Sequence, residues 1–512
     1  MRGRASLAVE NPSSVGFADT FSRKGRRGAA LALAALALAG CIDLAPAYRR
    51  PAQPTPGAFP TGPAYAPPTS VQPVVGWRDF FADPKLKTVI DEALANNRDL
   101  REAVANIAAA RAQYQVQRAN LYPHLSATAS ATFGEFPSTS SLVTQPPPTG
   151  GGGTTAAAAA PSNNGSFHEH QYDLNLGVSA FEVDLFGKLR NLSRAAQDQY
   201  FATSEARDAA QITLVGEVAA DYVTLASDRS LLAIAQETVA NGGQTLILTR
   251  ARLAGGIASG LDVSQAQTVV EQARFDVARL TTQVAQDRNA LELVVGAPVP
   301  DALLPPALGA PVVVLSRLPA GLSSAVLLRR PDVVEAEDQL RGANANIGAA
   351  RAAFFPTISL TGSGGLTSNA LSTLFRASSA TWTFIPSITQ PIFDFGANRG
   401  NLNYAKAQRD LAVATYEKAV QTAFREVADA LAQRGTIAGE LAAQRALVAA
   451  AGEALTLANA RYQAGADTYL NALIAQRTYY AAQQTLVTTE LTEATNLVAL
   501  YTSLGGGLEA AP

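Results

Sequence analysis

The one cysteine of this chain, Cys41, stands where a thiol has a chemical use. Ahead of it come Arg23, Lys24, Arg26 and Arg27, then an apolar run from Gly28 to Ala39, closed by Leu38-Ala39-Gly40-Cys41. Twelve apolar residues are too few to cross a hydrocarbon core of about 30 Å, so the run reads as a secretory signal. Its ending is similar to a bacterial lipobox, in which diacylglycerol joins the sulfur before cleavage makes the cysteine the new N-terminus. A covalent lipid on Cys41 is therefore expected, and no other cofactor. Ile42 follows where an Asp would retain lipoproteins of enteric type, so sorting to the outer membrane is open. A lone cysteine also rules out disulfides within the chain and any cysteine-based metal cluster.

The remaining reactive residue types form no constellation. His168-Glu169-His170 lacks a third ligand at usable spacing and reads as solvated loop residues, with no metal expected. Gly187-Lys188 lacks the earlier glycine of a phosphate loop, and no Gly-x-Ser-x-Gly occurs. An enzyme is not expected. Net charge is −2, and the first 41 residues hold six Lys/Arg against two acids, so the mature chain is more acidic still. It has no electrostatic reason to seek nucleic acid. Hydrophobic residues make up 47% and charged ones 16%, with alanine prominent, which suits helices packed closely along long seams. No other apolar run reaches about 18 residues, so a membrane crossing by the mature chain has to be a β-barrel.

The chain is written twice. Asp99-Leu100 and Glu102-Ala103 return as Asp332-Val333 and Glu335-Ala336, and Pro123 returns as Pro356. Further on, Phe186-Gly187, Arg252, Gly256, Leu261 and Gln267 return as Phe395-Gly396, Arg461, Gly465, Leu470 and Gln476. The change of offset falls on Pro137–Ser166, a Gly/Pro/Ala-rich stretch that reads as a long exposed loop.

Each copy has one grammar. A helical segment, roughly Pro84–Asn120 and then Ser324–Ala353, is stopped by Pro123 or Pro356. Two strands follow. Tyr172, Leu174, Leu176, Val178 and Ala180 alternate with Asp173, Asn175, Gly177 and Ser179, giving one greasy and one wet face. Pro386 interrupts the fourth strand. Trp382, Phe384, Phe133 and Tyr172 suit an aromatic girdle at a membrane interface. Then comes a proline-free stretch from Gly187 to Arg252, a rod of roughly 100 Å if helical. In its second copy Val413, Tyr416, Val420, Phe424, Val427 and Leu431 keep coiled-coil spacing. Gly-rich turns at Gly255-Gly256 and Gly465 send a second helix back from Leu261 or Thr468. Four strands cannot close a transmembrane barrel, which needs at least eight, so oligomerisation is expected.

These features together resemble the TolC-type outer-membrane efflux channels, in their lipoprotein (NodT-like) branch. The resemblance is carried by Glu182-Val-Asp-Leu-Phe-Gly-Lys-Leu-Arg190, Arg329-Arg-Pro-Asp-Val-Val-Glu-Ala336, Pro391-Ile-Phe-Asp394, Arg461-Tyr-Gln-Ala-Gly465, Tyr469-Leu470, Ala475-Gln476 and Leu500-Tyr-Thr-Ser-Leu-Gly-Gly-Gly507. It implies a homotrimer, with a twelve-strand β-barrel in the outer membrane continued by a twelve-helix tube in the periplasm. Such tubes join a periplasmic adaptor and an inner-membrane pump, usually of the resistance–nodulation–division type, and serve as a passive exit duct. It also implies a gate at the periplasmic tip, near Asp262, Tyr462, Asp467 and Asn471, and adaptor docking at Gly255, Gly256 and Gly465. Asp262 matches an acid that bonds the counterpart of Tyr462 in relatives; as a plain residue it reads as an N-cap of the returning helix. Relatives carry Arg where Asp467 stands and Asp where Asn471 and Ile474 stand, so a carboxylate ring on those last two positions is absent.

The expected fold is mainly α with β, in two tandem helix–strand–strand–long hairpin repeats. The expected organisation is a signal region at 1–40 (1–22 being a candidate mis-called start), a lipidated Pro-rich linker at 41–83, repeat one at 84–296, an inter-repeat linker at 297–323, repeat two at 324–507 and a tail at 508–512. Strands are expected at about 122–135, 170–184, 356–366 and 380–394, and long helices at about 187–253 and 396–463. Small-molecule efflux is the favoured function. A duct for type I protein secretion is the alternative within the class, and a periplasmic adaptor or structural lipoprotein the alternative outside it.

Overall fold

The computed structural model describes residues 43–65, 76–137, 166–308 and 323–506. Cys41 and nearly all of the 137–166 loop lie outside them.

Helix α1, Pro84–Asn96, opens on an Asp83 cap whose side chain accepts the Lys85 N–H, with Pro84 in the first turn. Leu86, Val89, Ile90 and Ala93, at helical spacing, are its buried face. The helical segment expected over roughly Pro84–Asn120 is two helices that meet at Asn97. That residue caps α2, Arg98–Ala119, by accepting the Leu100 N–H, and donates through Nδ2 to Val294 O. In the second repeat α5 likewise starts late, at Pro331–Ala352, after a short 3-10 turn over Ser324–Arg329. Arg330, forced extended by the proline after it, turns its guanidinium inward to Ser503 O, Asp332 and Glu426.

The strands are β1, Leu125–Pro137; β2, Ser166–Val183; β3, Thr357–Ser368; and β4, Ala380–Thr389. They form one antiparallel sheet in chain order, so β1 and β4 are edges. Pro386 lies in β4, opposite Leu360, as an edge strand tolerates. The alternation expected to run to Ala180 stops earlier. The register shifts between Val178 and Phe181, and Ala180 has φ 50° at this bulge, its N–H donating to Thr361 Oγ1. His168 and His170 belong to β2 rather than to a loop. Among the described residues no cluster of His, Cys, Asp and Glu could hold a metal.

Two long hairpins complete the chain. Helix α3, Lys188–Ala254, returns through α4, Gly260–Val295; helix α6, Ala397–Gln463, returns through α7, Tyr469–Ser503. The two long helices have 67 residues each, a length of about 100 Å. Tyr416, Val420 and Val427 of the coiled-coil seam are fully buried, in a core with Leu327, Val333 and Leu500. A second core joins Trp77, Phe80 and α1 to Tyr222, Leu225 and Leu291, and a third lies near the far tip around Tyr462, Tyr469 and Val270. No helix among the described residues is long and apolar enough to cross a membrane.

The segment expected as a linker is docked rather than slack over residues 43–65. Its backbone accepts from Arg351 at Leu44 O, from Asn344 at Pro46 O and from Ser324 at Pro56 O, so it runs the length of α5. Phe59 ends the run stacked on Phe424.

Candidate channel wall and tip

Paired residues in a sheet share a face, and here the pairing sorts the side chains into two. Leu125, Ala127, Leu174, Leu176, Val178, Trp382 and Phe384 fall on one side; Ser126, Thr128, Asn175, Ser363 and Thr383 fall on the other. The polar face is tied by hydroxyl contacts between Ser359 and Ser387, between Ser363 and Thr383, and from Thr367 to Asp173. Of the expected girdle, Trp382 is 81% exposed, and Phe133 meets Tyr172 edge to face across β1 and β2. A polar face, an apolar face and two open edges are the properties of a piece of barrel wall.

At the other end each long helix finishes alike. The Gly256 N–H donates to Leu253 O and the Ile257 N–H to Arg252 O; in the second hairpin the Gly465 N–H donates to Tyr462 O and the Ala466 N–H to Arg461 O. This double closure needs a left-handed residue, and Gly256 and Gly465 have φ of 74° and 77°. Gly255, at φ −83°, has no such requirement.

The returning helices start differently. Ser259 caps α4 by accepting the Asp262 N–H, while Asp262 Oδ2 accepts from the Ser259 N–H and hydroxyl. Asp262 is thus the third residue of the helix, completing a capping box, and not the cap itself. No hydrogen bond joins it to Tyr462 among the described residues; Tyr462 Oη instead contacts Thr249 Oγ1 at 3.4 Å. Asn471 replaces Asp262 in the second repeat, and Asp467 takes over, accepting from the Thr468 N–H and from Asn471 Nδ2. With the Thr468 N–H as the main cause, and with Asn471 and Arg461, these contacts hold the Asp467 carboxyl below its usual range.

Two further residues shape the tip. Arg252 donates to Tyr462 O at 2.6 Å and to Gln463 O at 3.2 Å and lies 4.6 Å over the Tyr462 ring, joining the two hairpins. Tyr469 packs edge to face on Tyr462 with its hydroxyl buried and without a partner among the described residues, and burial pushes that hydroxyl up to about 12. Arg252 is legible as the repeat of Arg461, but its acceptors are backbone carbonyls, which no residue pattern announces.

A two-faced sheet with free edges, continued by helices about 100 Å long that end in tight turns, defines a subunit of a membrane channel with a long extramembrane tube. Residues 89–297 and 322–506 match the family model described as outer membrane efflux protein. The chain belongs to that family. It is 44% identical over 480 residues to the probable efflux pump outer membrane protein TtgC of Pseudomonas putida, covering 93% of this chain and 95% of the relative. It is 40% identical over 478 residues to the cation efflux system protein CusC of Escherichia coli, covering 92% and 98%. Its fold matches the open state of the Neisseria gonorrhoeae MtrE outer membrane channel with a TM-score of 0.78 at 36% identity, covering 91% of this chain and 99% of that one. The protein is an outer-membrane efflux channel and not an enzyme.

Proposed function

We propose that three copies of this chain close into one duct, lipid-anchored at Cys41, through which an inner-membrane pump and a periplasmic adaptor expel small molecules such as drugs or other toxic compounds. The observation that carries the assembly is the unequal treatment of equivalent surfaces. In α5, flanked by α3 and α6, twelve residues between Pro331 and Ala352 are buried; in its repeat α2 only Leu100 is. At the boundary between repeats Phe186 stacks on Phe355, with ring centroids 4.6 Å apart. The repeats of those residues, Phe395 and Tyr122, are 91% and 60% exposed beside the free edges of β4 and β1. A neighbouring copy would supply each with its missing partner, since open strand edges are costly to leave in lipid and bare aromatic rings are costly to leave in water.

The anchor is supported by Asp43, whose carboxylate accepts from Asn191 and Arg194 where α3 leaves the sheet. Two residues of chain reach at most about 7 Å, so a lipid on Cys41 would meet the membrane beside the barrel. In this reading the tip turns with Gly255, Gly256 and Gly465 receive the adaptor, and Asp262, Tyr462, Asp467 and Asn471 surround the gate.

Paired cysteines test the assembly. A short bifunctional maleimide should link Tyr122→Cys to Phe395→Cys between chains and yield dimers and trimers in a denaturing gel, whereas Phe186→Cys with Phe355→Cys should link only within a chain. A detergent-extracted protein of single-chain mass that never links between chains would overturn the reading. Radiolabelled palmitate should enter the wild type and not Cys41→Ser.

A further inference from the structure

The two long helices end on equivalent arginines that behave differently. Arg252, at the end of α3, leaves its own turn and grips the other hairpin, donating to the carbonyls of Tyr462 and Gln463. A cation there meets the negative end of the α6 dipole and two carbonyls of its last turn, of which Tyr462 O also accepts the Gly465 N–H. Arg461, at the end of α6, stays within its own turn. Its Nε donates to Asp467 Oδ2 at 3.2 Å, and the side chain is 63% exposed. One position separates the two cases: the repeat of Asp467 is Ala258, so no carboxylate competes for Arg252.

We propose that Arg461 is the residue with which one copy grips the tip of the next, and that Asp467 withholds it, so that the seam between copies parts while the seam within each chain stays clipped. The proposal rests on the assembly of copies in a ring, in which repeat two of one chain adjoins repeat one of its neighbour. The acceptors equivalent to Tyr462 O and Gln463 O are then the carbonyls of Leu253 and Ala254 of the partner subunit. Leucine offers no ring face, so this grip lacks the cation–π contact that strengthens the grip of Arg252. The seam between copies is accordingly the weaker one, and Asp467 decides whether it is made at all. Arg461 is a positioning residue for the opening and need not touch cargo.

The test uses the purified full chain in planar bilayers, without adaptor or pump, and reads single-channel conductance. Asp467→Asn keeps an acceptor for the Thr468 N–H but removes the charge that holds Arg461. It should lower conductance severalfold. Adding Arg461→Gln to that variant should restore it, while Arg461→Gln alone should conduct as wild type or better. Unchanged melting temperatures across the set exclude damage to the turn. If Asp467→Asn conducts like wild type, or if the double variant stays low, the withheld-grip proposal is wrong. A wild type that runs as a monomer and passes no current would instead bring down the ring on which the proposal stands.

Discussion

Arg50 is ion-paired to Glu337, 287 residues away in sequence, and the pair pins the N-terminal segment to α5. The Glu337 side chain is buried and also accepts from Tyr48 Oη and from Arg341. A buried carboxylate is tolerable only when its oxygens are so occupied; removing it takes the acceptor from Tyr48 and Arg50, while Arg341 keeps Asp338. Arg50 and Arg341 are partly solvated and recover water when freed. Glu337→Ala is therefore expected to cost about 2 kcal/mol, less than the loss of a fully buried pair. Arg50→Ala should cost less again, because Tyr48 and Arg341 still serve the carboxylate. Equilibrium unfolding of the three proteins, with limited proteolysis near residue 50, measures the order; equal costs would mean that the strap is not held by this charge.

The first hairpin carries carboxyls that resist ionising. Burial first, then hydrogen bonding to Asp287 and its charge, push the Asp228 carboxyl up to about 6 despite Arg279 nearby. Burial, with Glu217 and Asp287, raises Asp221 to about 6 as well. Asp287 accepts from Gln283 at one oxygen, and its other oxygen is buried without a donor among the described residues, as a proton shared with Asp228 would satisfy. The folded state binds these protons more tightly than the unfolded chain, whose carboxyls release them near 3.8. Their stabilisation is thus complete below about 4 and is lost as pH rises through about 6. The melting temperature should fall across that window, and Asp228→Asn, which supplies a permanent donor, should flatten the fall. A wild-type profile flat from pH 4 to 7 would count against the shared proton.

What was legible in the sequence follows physical period. Tyr172 to Val178 declare a strand because one face meets apolar surroundings and the other water, and Tyr416, Val420 and Val427 declare a helical seam because the burial repeats. The duplication made the fold class readable twice over. The docking of residues 43–65 was not legible, because Leu44, Pro46 and Pro56 are held by their carbonyls, which every residue owns. At the tip the same limit hid the reach of Arg252. Asp262 was placed at the right helix start, but its turn geometry makes Ser259 the cap.

That capping difference is measurable. The first turn of α4 depends on the Ser259 side chain, whereas Thr468, the cap of α7, uses no side-chain hydrogen bond. Ser259→Ala should cost about 1 kcal/mol locally and speed amide exchange in the first turn of α4. Thr468→Ala should leave exchange in α7 nearly unchanged. Equal effects would show that the two turns are capped alike.

Gly465 offers the sharpest test of the tip as a docking surface. Its φ is 77°, and a Cβ added there would meet nothing within 4 Å, so a substitution pays only backbone strain. For most residues that strain is about 1 to 2 kcal/mol, and it is worst for a β-branched side chain; asparagine tolerates the left-handed region best. Gly465→Val should therefore remodel the turn while leaving the sheet, the remote cores and the assembled state intact. If the turn is the adaptor's contact, cells carrying Gly465→Val should lose crosslinking to the adaptor and become drug-sensitive, and Gly465→Asn should keep both. The plainer reading makes Gly465 a helix terminator alone, with a local cost and no change in capture. Adaptor crosslinking and drug susceptibility, scored on the same strains with channel levels matched, separate the two: normal capture and resistance in Gly465→Val would remove this turn from the docking surface.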